Sequence, residues 1–400
     1  MKSFEYFNPA KIIFGVGSQD KLKYLLEAEG ATSLLLIYSG DFIKDLGIYQ
    51  VVKKAAEELG INLIESGDVV PNPTIELARE LVQRGKEANV DYILAVGGGS
   101  AIDTAKAVAI GIPYIGDVWD FFEKGVVPEK VLPVGVISTT ASSGSETSNA
   151  AILSSGEWKL GFEDDRIIPR FAIMNPEYTI GLPKYQTNVG IADVLSHLLE
   201  RYFSDEKNSD TTDYLIEGAV KALLLNGRRI IKLQNEKTAE ELAGSEEYLN
   251  AKAEVQWLAS VAHNNFLDAG RSADWGSHRI EHELSAEYGI THGEGMAVVL
   301  PAWMKYMAGV KPWKIAQFAV RVLGAYTFTH TEEENALYAA ESVKAFYKSL
   351  GLKTSLTELG INEEHFDEMA AQATKNGTSP VGHYVPLDEK RFKEILKLAL

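Results

Sequence analysis

Histidine is scarce in this chain and unevenly placed: three of the eight histidines fall within Ser277–Gly293. In Ser277-His278-Arg279-Ile280-Glu281-His282-Glu283-Leu284, His278 and His282 are four residues apart, so on a helix they share a face. His292 follows on a glycine-flanked turn, Gly289-Ile290-Thr291-His292-Gly293-Glu294-Gly295. Far upstream, Asp193-Val194-Leu195-Ser196-His197 sets a carboxylate and an imidazole at the same helical spacing. Either pair alone is ordinary content for a polar or core helix face. Together, one carboxylate and several imidazoles form a donor set for Fe, Zn, Ni or Mn. Two helix faces and one turn could converge on one ion and leave a position open for a substrate oxygen, as catalytic sites do. The chain has no cysteine, so disulfides and thiolate ligands are excluded, and any metal must sit on His, Asp, Glu, backbone or water.

A second pattern concerns phosphate. Val96-Gly97-Gly98-Gly99-Ser100 joins an expected strand to an expected helix, where backbone N–H groups and the helix dipole can hold a pyrophosphate. Asp103, on the first helical turn, lies near enough to cap the helix or meet a ribose hydroxyl. The turn is not the G-x-G-x-x-G fingerprint, and a plain tight turn would read the same. The loop Thr139-Thr140-Ala141-Ser142-Ser143-Gly144-Ser145-Glu146-Thr147-Ser148 strengthens the case. Ligands of open parallel sheets bind at the carboxyl ends of strands, where both loops should lie.

These residues need positioning elements. Ser33–Tyr38, a short stretch around Asn62–Ile64, Tyr92–Val96 and Leu132–Ser138 read as strands, the last of them leading into the hydroxyl loop as the final strand of this half. Between them, Ile48–Leu59, Ile75–Ala88 after the Thr74 cap, and about Ala101–Ile110 read as helices. That alternation predicts a mostly parallel sheet covered on both faces. Past Gly181-Leu182-Pro183 strand signals fade, and Glu217–Leu233, Ser245–Asp268, Trp303–Leu323 and Glu332–Leu350 read as helices. The expectation is an α/β dinucleotide-binding domain over 1–180, Rossmann-like in its parallel sheet, followed by an all-α domain over 181–400.

Length and composition agree with a globular chain of more than one domain: 400 residues, 46% hydrophobic and 24% charged. A formal charge of −17 argues against nucleic acid and anionic membranes as partners. No apolar run is long enough for a membrane span, and Met1–Pro9 has no apolar signal core, so a cytoplasmic enzyme is expected.

Taken together, the glycine turn, the Thr-Thr-Ala-Ser-Ser-Gly-Ser-Glu loop, the Asp193…His197 pair and the His278…His282…His292 series resemble the iron-containing (group III) alcohol dehydrogenases. The similarity runs over essentially the whole chain, and Trp275–Pro301 looks most like the butanol dehydrogenase and broad-range aldehyde reductase branch. The resemblance implies that Asp193, His197, His278 and His292 bind one divalent metal, Fe(II) or Zn(II), and that His282 lies beside substrate and nicotinamide without ligating the ion. For the nucleotide it points to Gly97, Gly98, Gly99, Ser100, Asp103, Thr139, Thr140, Asn72 and Lys159. It further implies a homodimer, and an active cleft between the two domains. Members of this branch often carry a glycine-and-serine run associated with NADP where this chain has Tyr38-Ser39-Gly40-Asp41-Phe42. Asp41 could accept from a ribose 2′-OH and would repel a 2′-phosphate, which favours NAD; it could equally be a turn aspartate facing water.

The implied reaction moves a hydride between the carbon of a small primary alcohol or its aldehyde and NAD(P), with the metal polarising the oxygen and His282 as a candidate proton relay. A glycerol or other polyol dehydrogenase is the alternative substrate assignment. Two rival classes remain. His278-Arg279-Ile280-Glu281-His282 fits the H-x-x-E-H metallopeptidase pattern, which leaves both nucleotide-like loops unexplained. A catalytically silent nucleotide-binding protein would not need all four ligand-type residues.

Overall fold

The structure is a computed structural model that describes residues 1–156 and 158–400. The chain forms two compact units, one of Phe7–Leu182 with Ala239–Asn264, the other of Met1–Tyr6, Pro183–Thr238 and Asn265–Leu400. Residues 239–264, which read from the sequence as part of the helical half, thus belong to the unit that carries the sheet.

That sheet unit contains strands β1 (Lys11–Phe14), β2 (Ser33–Tyr38), β3 (Asn62–Ser66), β4 (Tyr92–Gly97), β5 (Val134–Ser138), β6 (Ala150–Ser155), β7 (Trp158–Glu163) and β8 (Phe171–Met174). Six of them form one parallel sheet in the order β1-β8-β5-β4-β2-β3, and β6 pairs with β7 as an antiparallel hairpin. Its helices are α1 (Leu22–Glu29), α2 (Phe42–Asp45), α3 (Ile48–Leu59), α4 (Ile75–Glu87), α5 (Gly99–Gly111) and α6 (Trp119–Glu123).

Side chains alternate across a strand, and β2 divides its apolar residues accordingly. Leu34 and Leu36 join Tyr92, Leu94 and Val96 under α1 and α3. Leu35 and Ile37 join Ile93 and Ala95 under α4 and α5. Both faces are covered, which is why β2, β4, β5 and β8 are buried at every position.

Two strands of this sheet, β1 and β8, are not apparent from the sequence pattern. Leu132–Ser138 is not the last strand of this half: the β6–β7 hairpin and β8 follow it, and β1 precedes β2. β1 and β8 have only four residues each, too few for a period to show.

From Pro183 the helices are α7 (Lys184–Tyr202), α8 (Asp210–Glu236), α9 (Ala239–Ala243), α10 (Glu246–His263), α11 (Gly276–Tyr288), α12 (His292–Val310), α13 (Trp313–Leu323), α14 (Glu332–Ser349), α15 (Phe366–Ala373) and α16 (Glu389–Leu398). Of these, α9 and α10 belong to the sheet unit. The helical unit centres on α12, whose stretch Gly295–Met304 is buried throughout and which packs against α7, α11, α14 and α16. Trp303–Leu323 is two helices, not one. Pro312 cannot donate to the ladder and disfavours helical backbone at Lys311, so α12 ends at Val310 and α13 restarts at Trp313.

A buried ion cluster ties this unit together. Asp213 of α8 accepts from Arg271 at 2.5 Å and Lys314 at 2.5 Å, and from Gln317 at 2.8 Å. Five bonds in total leave the Arg271 guanidinium and the Lys314 ammonium, with Arg271 also reaching Arg201 O and Ser209. Burial of paired charges in this way fixes the approach of the 265–275 segment to α8 and α13.

Candidate active site

Helix α7 is buried from Thr187 to Tyr202, so its polar residues must find partners inside the helical unit. Asp193 and His197 share one face, with His197 Nε2 3.9 Å from Asp193 Oδ1. His278, on the first turn of α11, stacks its ring on that of His197 at 4.9 Å between centroids. His292, the first residue of α12, brings Nε2 to 3.5 Å from the same Asp193 oxygen. One potential ligand atom from each of Asp193, His197, His278 and His292 lies within 4.8 Å of the others, so this quartet could hold a metal ion.

The donor chemistry fits a divalent transition ion: three imidazoles and one carboxylate, without sulfur. His278 Nε2 supplies a second test. It is buried and has no hydrogen-bond partner, an arrangement that costs about 1–3 kcal/mol unless something satisfies the atom. A cation at the meeting point of these side chains would do so.

Two carboxylates hold the imidazoles from behind: Glu200, which none of the motifs above singles out, and Glu281, which the sequence shows only as part of the H-x-x-E-H pattern. Glu200, on α7, accepts from His278 Nδ1 at 2.9 Å, the His278 backbone N–H at 3.0 Å, Ser277 Oγ at 2.5 Å and the Trp275 N–H at 2.8 Å. Burial alone would push its carboxyl up; the bonds from His278 and Ser277 overcome this and hold it below the ordinary value. Glu281, on α11, bonds His292 Nδ1 and accepts from Ser285 Oγ. Nearby Asp274, buried beside Glu200, is pushed up to about 7, chiefly by burial. A signal for the two carboxylates does exist: His197-Leu198-Leu199-Glu200 and His278-Arg279-Ile280-Glu281 repeat one H-x-x-E spacing.

His282 lies outside the quartet, its ring 5.8 Å from that of His292. Glu281, His282 and His292 form a second possible ligand group, but both Glu281 oxygens are engaged by Ser285 and His292 Nδ1. The metallopeptidase pattern needs His278 and His282 on one ion with a free glutamate between them, and this glutamate is committed.

In the sheet unit the glycine turn and the hydroxyl loop meet. The Thr139 N–H donates to Gly97 O at 3.0 Å. A Cβ on Gly98 would stand 2.6 Å from Thr140 Oγ1, and one on Gly99 2.6 Å from Ser143 Oγ, so only glycine lets the loops lie this close. Gly98, Gly99, Ser100 and Thr140 remain partly exposed at the start of α5, while Thr139 Oγ1 is buried without a hydrogen-bond partner. The strand order changes direction between β2 and β4, and the turn after β4 starts at that switch point, which is where open α/β sheets bind ligands.

Asp103 is buried, and its oxygens accept from Ser145 Oγ at 2.6 Å and the Ile152 N–H at 3.0 Å. Its carboxylate therefore braces the hydroxyl loop instead of facing a ribose. Lys106, also on α5, donates to Ser145 Oγ, Ser148 O, Ser148 Oγ and Ala150 O. Burial raises the Asp103 carboxyl and brings the Lys106 ammonium down to about 8. On the loop's other side, α10 supplies Ser260 to Glu146 and His263 Nδ1 to Ser143 O at 2.6 Å. This is why α10 belongs with the sheet despite its place in the sequence.

Of the remaining expected cofactor residues, Asn72 (φ +54) adjoins Pro73, whose carbonyl accepts from Ser154 N at 2.8 Å. Ser154 is the strand partner of Lys159, so the structure brings Asn72 and Lys159 to one neighbourhood. Asp41 follows β2, is 82% exposed at its side chain, and pairs with Lys44 at 2.6 Å.

A sheet with a nucleotide-type turn at its switch point and a helical unit with a four-ligand cluster match known proteins across the whole chain. The profile for iron-containing alcohol dehydrogenase matches residues 9–176, and that for the Fe-containing alcohol dehydrogenase family, C-terminal part, matches residues 187–400. NADH-dependent butanol dehydrogenase A of Clostridium acetobutylicum is 35% identical over 99% of both chains, and the NADPH-dependent aldehyde reductase YqhD of Escherichia coli 29% over 98% of both. The crystal structure of NADH-dependent butanol dehydrogenase A from Thermotoga maritima superposes with a TM-score of 0.90 at 33% identity, covering 100% of this chain and 99% of that one. With both halves matched in order and at full length, this chain belongs to the iron-containing alcohol dehydrogenase family.

Proposed function

We propose that the protein is an alcohol dehydrogenase and aldehyde reductase that passes a hydride between a small primary alcohol, butanol-like in size, or its aldehyde and a nicotinamide nucleotide. The convergence of Asp193, His197, His278 and His292 on one point carries this reading, in a family whose relatives are named for these reactions. These four side chains would hold one divalent ion, Fe(II) or Zn(II); when bound, it supplies Lewis-acid polarisation of the alcohol or aldehyde oxygen.

The chain's own groups do the rest. Gly97, Gly98, Gly99 and Ser100 offer backbone N–H groups at the α5 N-terminus to the pyrophosphate. Thr139 and Thr140 face the nicotinamide end, Asn72 and Lys159 also contact the nucleotide, and Asp41 reaches toward the adenosine ribose. Asp103 acts through the loop it braces. His282 holds or passes the proton that the alcohol loses and the aldehyde gains. Hydride chemistry itself belongs to the nucleotide. We read NAD as the preferred partner and the working form as a cytoplasmic homodimer. Among the described residues no helix is long and apolar enough to cross a membrane.

The test is a panel of C2–C6 aldehydes, primary alcohols and glycerol with NADH, NADPH and their oxidised forms, after anaerobic loading with Fe(II) or Zn(II). Turnover of butanal-sized aldehydes above glycerol oxidation is expected. Absence of hydride transfer with every primary alcohol and aldehyde would overturn the reading, and faster glycerol turnover would shift it to a polyol dehydrogenase.

A further inference from the structure

We propose that Glu200 and Glu281 are positioning residues of the metal centre, each taking the Nδ1–H of one ligand so that His278 and His292 present Nε2 to the ion. The inference rests on the quartet reading above and adds what orients the quartet.

Both carboxylates are buried, at 1% and 0% exposure, and a buried carboxylate persists only where donors meet it. Glu200 has His278 Nδ1 at 2.9 Å, and Glu281 has His292 Nδ1. An imidazole that donates from Nδ1 keeps its acceptor lone pair on Nε2. The Nε2 atoms are the ones aimed inward: that of His292 lies 3.5 Å from Asp193 Oδ1, and that of His278 is buried without a hydrogen-bond partner. A carboxylate on the far nitrogen also makes the imidazole a stronger ligand.

The two glutamates stand in the same relation to the helices. Each lies three residues after a quartet histidine on its own helix and bonds the quartet histidine in the first turn of the next quartet helix. Glu200 follows His197 on α7 and holds His278 of α11; Glu281 follows His278 on α11 and holds His292 of α12. The ligands are thus linked in a chain, and no quartet helix can turn without moving the next. Glu200 has a second duty. It accepts the Trp275 N–H at the left-handed residue (φ +63) that starts α11, while the neighbouring Arg201 guanidinium lies over the Trp275 ring at 4.6 Å. Consecutive residues of α7 therefore fix where α11 begins.

A purely structural role is the rival, since Glu200 caps a helix. The experiment uses the full chain with Glu200→Gln, Glu281→Gln and, as a control, Ser277→Ala, which removes a hydroxyl from Glu200 without touching an imidazole. Zn(II) dissociation constants come from competition with a chromophoric chelator. Imidazole tautomers come from nitrogen-15 spectra of histidine-labelled, metal-free protein held alkaline enough to keep the rings neutral, with His278→Ala and His292→Ala assigning the signals. In the wild type both rings are expected as the Nδ1–H form. Each Gln variant should bind Zn(II) about 10- to 100-fold more weakly, and Ser277→Ala should leave affinity and tautomers in place while lowering the melting temperature. Glu281→Gln touches no helix cap, so it decides the question even if Glu200→Gln does not fold. A wild-type His278 or His292 in the Nε2–H form, or Gln variants that melt earlier yet bind Zn(II) as the wild type does, would overturn the proposal. A wild-type chain that binds no Zn(II) while showing both Nδ1–H tautomers would instead remove the quartet reading and, with it, any role of these carboxylates in a metal centre.

Discussion

The helical unit and the sheet unit each contain one ligand-ready region, and the two are built by opposite means. Around Asp193 the region is made of side chains: four donors aimed at a point, with Glu200 and Glu281 behind them. Around Gly98 it is made of backbone, and what matters is the side chains that are missing. Thr140 and Ser143 occupy the space that Cβ atoms would take. A divalent ion needs few contacts of definite chemistry, whereas a pyrophosphate needs close approach to several N–H groups. The first region should therefore be sensitive to atoms removed and the second to atoms added.

The largest effect tests the first half of that contrast. His278→Ala and His292→Ala should each lose bound metal by elemental analysis and lower kcat/KM by about 10³-fold or more, the scale of the several kcal/mol that Lewis-acid polarisation supplies. His282→Ala should keep the metal and lose rate. A His292→Ala protein with one full equivalent of metal and normal turnover would break the contrast at its stronger end.

The second half predicts a loss on adding one methyl group. Gly98→Ala should raise the KM for the nucleotide with kcat less affected, by the about 1–3 kcal/mol typical of overpacking, roughly 5- to 150-fold. The clash is with both Thr140 Oγ1 and Cγ2, so rotation of that side chain relieves it only in part. Gly98→Ala combined with Thr140→Ala should recover part of the loss; two additive losses would mean that Thr140 itself touches the nucleotide more than it crowds Gly98.

The same contrast explains what could be read in the sequence. Ile48–Leu59 is a helix with the limits its periodicity indicates, and the glycine turn does join a strand to a helix. The four quartet residues do come together; scarce histidines at helical spacing make them candidates, and the family resemblance is what selects these four. Glu200 does not stand out because glutamate is common, and Glu281 stands out only within the H-x-x-E-H pattern, where nothing ties it to His292; the repeated H-x-x-E spacing is what marks the two as a pair. Asp103 shows a related limit: helix position places it near the turn, but does not reveal that Ser145 and the Ile152 N–H, 42 and 49 residues on, donate to its oxygens. The place of α10 was equally hidden, since the contacts of Ser260 and His263 with the hydroxyl loop span more than a hundred residues.

A comparison between buried glutamates of α7 and α11 gives a smaller, pH-dependent effect. Glu200, met by four donors, is held low; Glu283, with the Arg279 guanidinium at 3.4 Å as its charged neighbour, is pushed up to about 7 by burial. An unfolded glutamate titrates near 4.3. Between those values the folded chain keeps a proton that the unfolded chain has released, so this residue's contribution to stability falls as pH rises from about 4.3 through 7 and is flat above. Glu283→Gln removes that decline. Relative to wild type it should be more stable at pH 8 by about 1–3 kcal/mol, a shift of a few degrees in melting temperature, and by a clearly smaller margin at pH 5. Equal differences at both pH values would show that Glu283 is ionised throughout.

The smallest effect concerns the edge of the sheet-unit region, where a side chain and not the backbone is at stake. Asp41 stands just after β2, the strand beside β4 at the switch point, and on the reading proposed above it would accept from the 2′-OH of an adenosine ribose. The same carboxylate would face the 2′-phosphate of NADP. Its repulsion is weakened twice over: the side chain is 82% exposed, so water and salt screen it, and Lys44 already pairs with it at 2.6 Å. NADH should therefore be preferred over NADPH in kcat/KM by a margin near the lower end of the about 1–3 kcal/mol that one such contact can supply, roughly 5- to 20-fold. Asp41→Ser should narrow the gap from both sides, since it removes an acceptor for the 2′-OH and releases the Lys44 ammonium to a phosphate. Lys44→Ala should widen it, because the carboxylate then meets the phosphate without its counter-charge. The pair of variants separates the readings that a single substitution leaves together. If both move the ratio in these opposite directions, Asp41 and Lys44 act on the ribose as a unit. If neither does, Asp41 is a turn residue facing water, and cofactor choice resides in the backbone of Ser39 and Gly40, as the rest of this region would lead one to expect.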